Sequence, residues 1–283
     1  MFDRLSRSWD LVQASWGVLR EDKELLLFPL ISSIAMLAVV ACFALPVIGI
    51  YGFDGLGRAF DGKTTLAQYT AAFLFYVVQY FVIFYFNAAL VGAAMIRLDG
   101  GNPRLSDGLS IASSKLGSIL GYALVAATVG MVLRMIQERV GFIGRIIVGM
   151  LGVGWTVATF LVVPVLVTRD VGPLDAVKES ALLLKKTWGE NVIGQGGIGL
   201  AFGLIQMLVI FGGIGLIVLA AMSHSIALLI LAIVATVVMA LLTALVHAAL
   251  SGIYSAALYR YATGSGATAG FDTSALQLAF RPK

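Results

Sequence analysis

Charge is scarce in this sequence. Only 12% of the residues are Asp, Glu, Lys or Arg, while 60% are hydrophobic. A soluble domain carries about 25% charged and roughly 45–50% apolar residues. The chain therefore has too little polar surface to cover itself in water, and lipid is its expected solvent over much of its area. Cysteine is nearly missing: Cys42 stands alone, which excludes an intramolecular disulfide and a cysteine metal cluster. The only histidines are His224 and His247. Neither has a second histidine, cysteine or carboxylate at ligand spacing, so no metal is expected. Zinc-protease, nucleophile-elbow and P-loop patterns are absent. So are carboxylates near the middle of any long apolar run, where intramembrane catalysis and ion-coupled pumping generally keep them. The expectation is a protein without cofactor that is not an enzyme.

What is present is a set of long apolar runs. A helix needs about 20 apolar residues to cross ~30 Å of hydrocarbon. Six segments qualify: Leu25–Tyr51, Leu66–Ile96, Ser118–Gln137, Ile146–Thr168, Val192–Met222 and Ile226–Tyr259. Residues 1–24 hold nine charged side chains and no apolar core, so they are not read as a secretory signal. The fold class expected is all-α, a polytopic transmembrane helical bundle with six spans. One domain covers residues 1–262, and residues 263–283 form a tail with Phe271, Leu276, Leu278 and Phe280 on a short interfacial helix.

Lysine and arginine set the orientation. Arg4, Arg7, Arg20, Lys23, Arg97, Arg104, Lys115, Arg169, Lys178, Lys185, Lys186, Arg260, Arg281 and Lys283 fall on one side, and Arg58, Lys63, Arg134, Arg139 and Arg145 on the other. The positive-inside rule puts the richer side, with both termini, in the cytoplasm. The formal charge is +4, and its basic residues flank apolar runs without interleaved aromatics. Anionic lipid headgroups, not nucleic acid, are the expected partner. A membrane protein or a second copy of the chain is a further partner to expect.

Between the runs lies a threefold pattern. Segments near 3–17, 104–117 and 174–189 precede the first, third and fifth runs. Their apolar residues are Leu5, Trp9, Val12 and Trp16; Leu105, Leu109, Ala112 and Leu116; and Val177, Ala181, Leu184 and Trp188. All three share the spacing i, i+4, i+7, i+11, one stripe of a helix. Each stripe is followed by a glycine, Gly17, Gly117 or Gly189, expected to let the chain turn into the next span. Trp9, Trp16, Leu109, Leu116, Leu184 and Trp188 are the expected interfacial anchors. Arg97, Arg169 and Arg260 close the even runs, each followed within four residues by Gly100, Gly172 or Gly264. These regularities describe three parallel repeats, each an interfacial helix feeding a transmembrane hairpin.

Few residues offer chemistry. Gly194 to Gly199 fits G-x-G-x-x-G, but it opens an apolar run where a dinucleotide site needs a strand before it. Close helix packing is the expected role, as for the pairs Gly199/Gly203 and Gly117/Gly121. Asn87, Gln195, Gln206 and His247 are polar residues in the spans that could line a polar path, although single amides more often hold helices together. Arg134 and Glu138, four apart, are an ion pair at the outer end of the third span.

The stretches Glu24 to Leu30, Arg97 to Pro103 and Leu258 to Gly264 resemble an uncharacterised family of prokaryotic six-span membrane proteins over nearly the whole chain. More loosely, the plan is similar to the membrane domain of some glycerophosphodiester phosphodiesterases, without their catalytic domain. The resemblance implies a bacterial or archaeal plasma membrane and carries no site residues. The function expected is a non-enzymatic integral membrane protein acting through lipid or membrane-protein association at the cytoplasmic interface. The alternative is a passive channel or facilitator.

Overall fold

The computed structural model describes residues 15–52, 66–186, 188–223 and 225–264, with backbone alone at 50–51, 66–67, 186, 188–198 and 200. All regular structure among the described residues is helical. Helix α1 covers residues 15–21, and a 3-10 turn, Lys23–Leu26, leads into α2, Leu27–Tyr51. Then follow α3 (Leu66–Leu98), α4 (Leu105–Ser114), α5 (Leu116–Arg139), α6 (Phe142–Ala158), α7 (Val162–Thr168), α8 (Pro173–Lys186), α9 (Trp188–Met222) and α10 (Ile226–Thr263).

Six helical stretches are long and apolar enough to cross a membrane, as a multi-pass membrane protein requires: Lys23–Gly49, Gln68–Leu98, Leu116–Arg139, Phe142–Thr168, Ala201–Met222 and Ile226–Thr263. The expected tail helix after residue 264 lies outside the described residues.

Helix ends follow local chemistry. At the end of α3, Gly100 takes φ +84°. Its N–H bonds the Arg97 carbonyl, and the Gly101 N–H bonds the Ile96 carbonyl (2.9 and 3.0 Å). That paired closure is the Schellman motif, and it needs a residue tolerant of left-handed backbone. Gly264 ends α10 in the same backbone region (φ +70°). Gly172 does not share it, because α7 ends with Arg169 in extended backbone.

Two expectations about corners are corrected. Gly17 and Gly117 lie inside α1 and α5, not at the turns, and Gly189 lies within α9. The turns fall at Asp22 and Lys115, where one residue leaves helical geometry while its side chain is held by neighbours. The fourth apolar run is not one helix. It breaks at residues 159–161 between α6 and α7. Pro164 is the cause, since it has no N–H for the Phe160 carbonyl and its ring crowds that carbonyl.

The described chain clusters into two compact units. One gathers the segment up to Leu26, residues 94–102 and the chain from 187 onward, so it holds the α9–α10 hairpin. The other takes residues 27–93 and 103–186, where α8 packs on α5, α6 and α7. Burial concentrates toward the C-terminal ends of the even apolar helices: Ala88 to Ala94 in α3, Val162 to Leu166 in α7 and Ala249 to Arg260 in α10. Leu37, Leu45, Phe142, Met150, Leu208, Leu219 and Leu231 elsewhere are exposed, as suits helices meeting lipid.

Candidate functional site

The fourth apolar run breaks, between α6 and α7, where α8 crosses it. In an unbroken helix the Leu161 N–H would bond the Val157 carbonyl. That carbonyl instead takes the Phe160 N–H (3.1 Å), and the Leu161 N–H donates to Ser180 Oγ (3.1 Å). The Ser180 hydroxyl in turn donates to the Ala158 carbonyl (2.7 Å). Ser180 and Leu161 are fully buried. A helix break among apolar neighbours exposes backbone groups that each cost several kcal/mol unless re-paired. A small hydroxyl that both accepts and donates meets that need.

Helix α8 has two opposed faces. Ala176, Ser180, Leu183 and Leu184 are buried. Leu174 and Leu182 are 60% and 63% exposed, and Lys178 and Lys185 lie exposed on the same side. The apolar stripe read from the sequence is therefore turned by about one residue: Leu184 is buried, but Val177 is half-buried and Ala181 exposed. Two ion pairs pin the ends of this region. Arg169 meets Glu179 at 2.5 Å. Lys115 reaches Asp170 and the Arg169 carbonyl, and this ammonium holds the Asp170 carboxyl below the usual carboxylate range.

The other unit has its own charged cluster. Arg97 bonds Glu21 (2.5 Å) and the Gly101 carbonyl (3.4 Å), and Arg260 bonds Asp99. Asp22 is 6% exposed, and its carboxylate accepts the Glu24 N–H, capping the 3-10 turn. Its Oδ2 has no hydrogen-bond partner. Burial raises the Asp22 pKa against the pull of Arg97.

The residues expected to line a polar path are placed as follows. Thr243 Oγ1 donates to Gln206 Oε1 across the α9–α10 hairpin at 2.6 Å. His247 stacks on Phe202 one turn away, with ring centroids 5.2 Å apart. Gln206 and His247 thus face a helical neighbour in one seam. The Gln195 side chain lies outside the described residues, and Asn87 is half-buried in α3 of the other unit. Arg134 and Glu138 do pair, at 3.1 Å, and Arg134 also donates to the Tyr76 hydroxyl (2.6 Å).

Among the expected anchors, Trp16 and Leu116 are exposed, Leu109 is half-buried and Leu184 is buried. Trp9 and the Trp188 side chain lie outside the described residues, as does His224. Cys42 is exposed. No group of three or more His, Cys, Asp or Glu able to hold a metal occurs among the described residues.

Gly121 packs closely, with a Cβ there falling 2.9 Å from Pro173 Cγ, but Gly117, Gly199 and Gly203 meet nothing within 4 Å. Closer approaches occur elsewhere. A Cβ on Gly108 would lie 2.5 Å from both the Ala89 carbonyl oxygen and Phe28 Cζ, and one on Gly213 would lie 2.1 Å from Thr236 Cγ2.

A family model described as "Family of unknown function (DUF6159)" matches residues 66–271, well over half of the chain. The chain belongs to this family. No curated protein matches it. The DUF6159 region takes in the break, α8 and the α9–α10 hairpin, while Glu21 and Asp22 precede it. Among the residues of this DUF6159 protein that form the site, the sequence reading overlooked Pro164, Tyr76 and the buried role of Ser180. Pro164 was detectable, because a proline inside an apolar run interrupts the helical ladder. Ser180 as its partner was not, because nothing local says which helix crosses there.

Proposed function

We propose that this protein is a multi-pass component of a prokaryotic cytoplasmic membrane, with both termini in the cytoplasm. It works without catalysis, by associating with lipid or with other membrane proteins at its cytoplasmic interface. The observation that carries this reading is α8, whose inward face packs on α5, α6 and α7 while its outward face offers Leu174, Lys178, Leu182 and Lys185. A helix with apolar and basic side chains on one outward face suits the boundary between headgroups and acyl chains.

Three parallel repeats are part of the proposal. Gly108 and Ser180, Arg97 and Arg169, and Gly100 and Gly172 stand at one common offset of 72 residues. Gly108 of α4 lies against the Ala89 carbonyl of α3, and Ser180 of α8 bonds the Ala158 carbonyl of α6. In both places a small residue of the short helix meets the backbone of the preceding apolar helix. That shared contact supports repetition beyond what similar interfaces would impose.

The test is purification into vesicles of defined composition, followed by solute flux and lipid retention. Retention of anionic over zwitterionic lipid, with no selective flux above protein-free vesicles, is the expected result. Selective solute flux would overturn the reading in favour of a channel.

A further inference from the structure

The break in the fourth apolar helix and the outward face of α8 belong to one helix, and this links them. We propose that α8 is a clasp responsive to anionic lipid headgroups: seated on them through Lys178 and Lys185, it holds Ser180 in the break, and without them it releases. This rests on the reading of α8 as a lipid-facing helix and adds a consequence for the interior of the bundle.

The two faces of α8 are opposed in what they meet. Ser180 of α8 bonds the backbone of the break twice, accepting from the Leu161 N–H and donating to the Ala158 carbonyl. Around it Ala176, Leu183 and Leu184 are buried. At its edge Glu179 bonds Arg169, whose side chain is half exposed and able to exchange that carboxylate for a headgroup phosphate. On the outward side Lys178 and Lys185 stand against one acid, Asp175, which Lys178 meets at 3.3 Å with both side chains largely solvated. Such a solvated pair is weak, so Lys178 stays available to a headgroup. Leu174 and Leu182 on that face are largely exposed and would enter the acyl boundary. Lipid therefore acts on one side of a rigid helix whose other side completes a broken backbone. A ligand that binds the docked state more tightly than the released one shifts the equilibrium toward docking.

The experiment uses the full chain with Cys42→Ala and one new thiol, Leu161→Cys in the break or Leu182→Cys on the outward face. It is placed in vesicles of phosphatidylcholine, or of equal parts phosphatidylcholine and phosphatidylglycerol, and a membrane-impermeant maleimide is delivered to the face bearing α8. Both thiols should label on the order of tenfold more slowly in the anionic vesicles, given two lysines near the surface. Lys178→Gln with Lys185→Gln should restore fast labelling there. Ser180→Ala should speed labelling at position 161 while position 182 stays shielded. If that variant fails to fold, the exposed lysine pair still carries the test. Shielding at 182 with labelling at 161 indifferent to lipid charge would overturn the clasp and leave lipid association standing. Equal labelling at 182 in both vesicles would remove the association and the clasp with it. Labelling at 161 that follows lipid charge but ignores the lysine substitutions would overturn their role in the clasp.

Discussion

Asp22 is the residue where local and long-range chemistry disagree. Its sequence context, a polar residue before Lys23–Leu26, suits a cap, and the carboxylate does accept the Glu24 N–H. The fold then buries it and leaves Oδ2 without a partner. Desolvation raises its pKa, Arg97 opposes that rise and Glu24 adds to it. The folded state thus prefers the protonated form more than the unfolded chain does. This contribution to stability is complete below the ordinary carboxylate range and is lost as pH rises through the raised folded value. Asp22→Asn should keep an oxygen for the cap and abolish the buried charge, raising stability at neutral pH by on the order of 1 kcal/mol. Thermal unfolding of both forms from acid to neutral pH checks this. The advantage should vanish on the acid side, and an advantage independent of pH would reject the account. Capping could be read from the sequence; the burial of Asp22 depends on what folds over it.

At the scale of elements, the fourth apolar run shows what a hydropathy reading measures. Such a reading sums transfer tendencies over a window, so Pro164 barely registers among its valines and leucines. Its effect is on hydrogen bonds, and those depend on α8. Ser180→Ala leaves the Leu161 N–H and the Ala158 carbonyl without that side-chain partner in a buried place, a loss of about 1–3 kcal/mol. Pro164→Ala lets the helix rebuild its own ladder across the break. The serine substitution should then cost much less when combined with Pro164→Ala. A double-mutant cycle on denaturation in detergent measures that coupling, and simple additivity would show that Ser180 does not serve the break. Helices α4 and α8 themselves were readable from their spacing. The rotation of α8 was not, because Val177 and Leu184 look equally apolar until packing selects Ala176, Ser180, Leu183 and Leu184.

For the whole molecule, burial gathers where the even apolar helices end, and the opposite stretches expose large apolar side chains. The proposed topology, six crossings with both termini in the cytoplasm, predicts that Ser223 faces outside and Ser106 inside. In a Cys42→Ala background, Ser223→Cys should label from outside intact cells and Ser106→Cys only after the membrane is opened. Labelling of both from one side would reject the six-crossing arrangement.

The sequence by itself determined the solvent and the number of apolar helices, because transfer into lipid is roughly additive along the chain and needs no knowledge of neighbours. It also marked the helix ends at Gly100 and Gly264, where backbone chirality decides. Only the tertiary structure decided which polar groups meet. Ser180 with Leu161, Thr243 with Gln206, and Arg260 with Asp99 each pair residues remote in sequence. A hydrogen bond has direction and short reach, so its existence depends on where the partner helix lies rather than on composition.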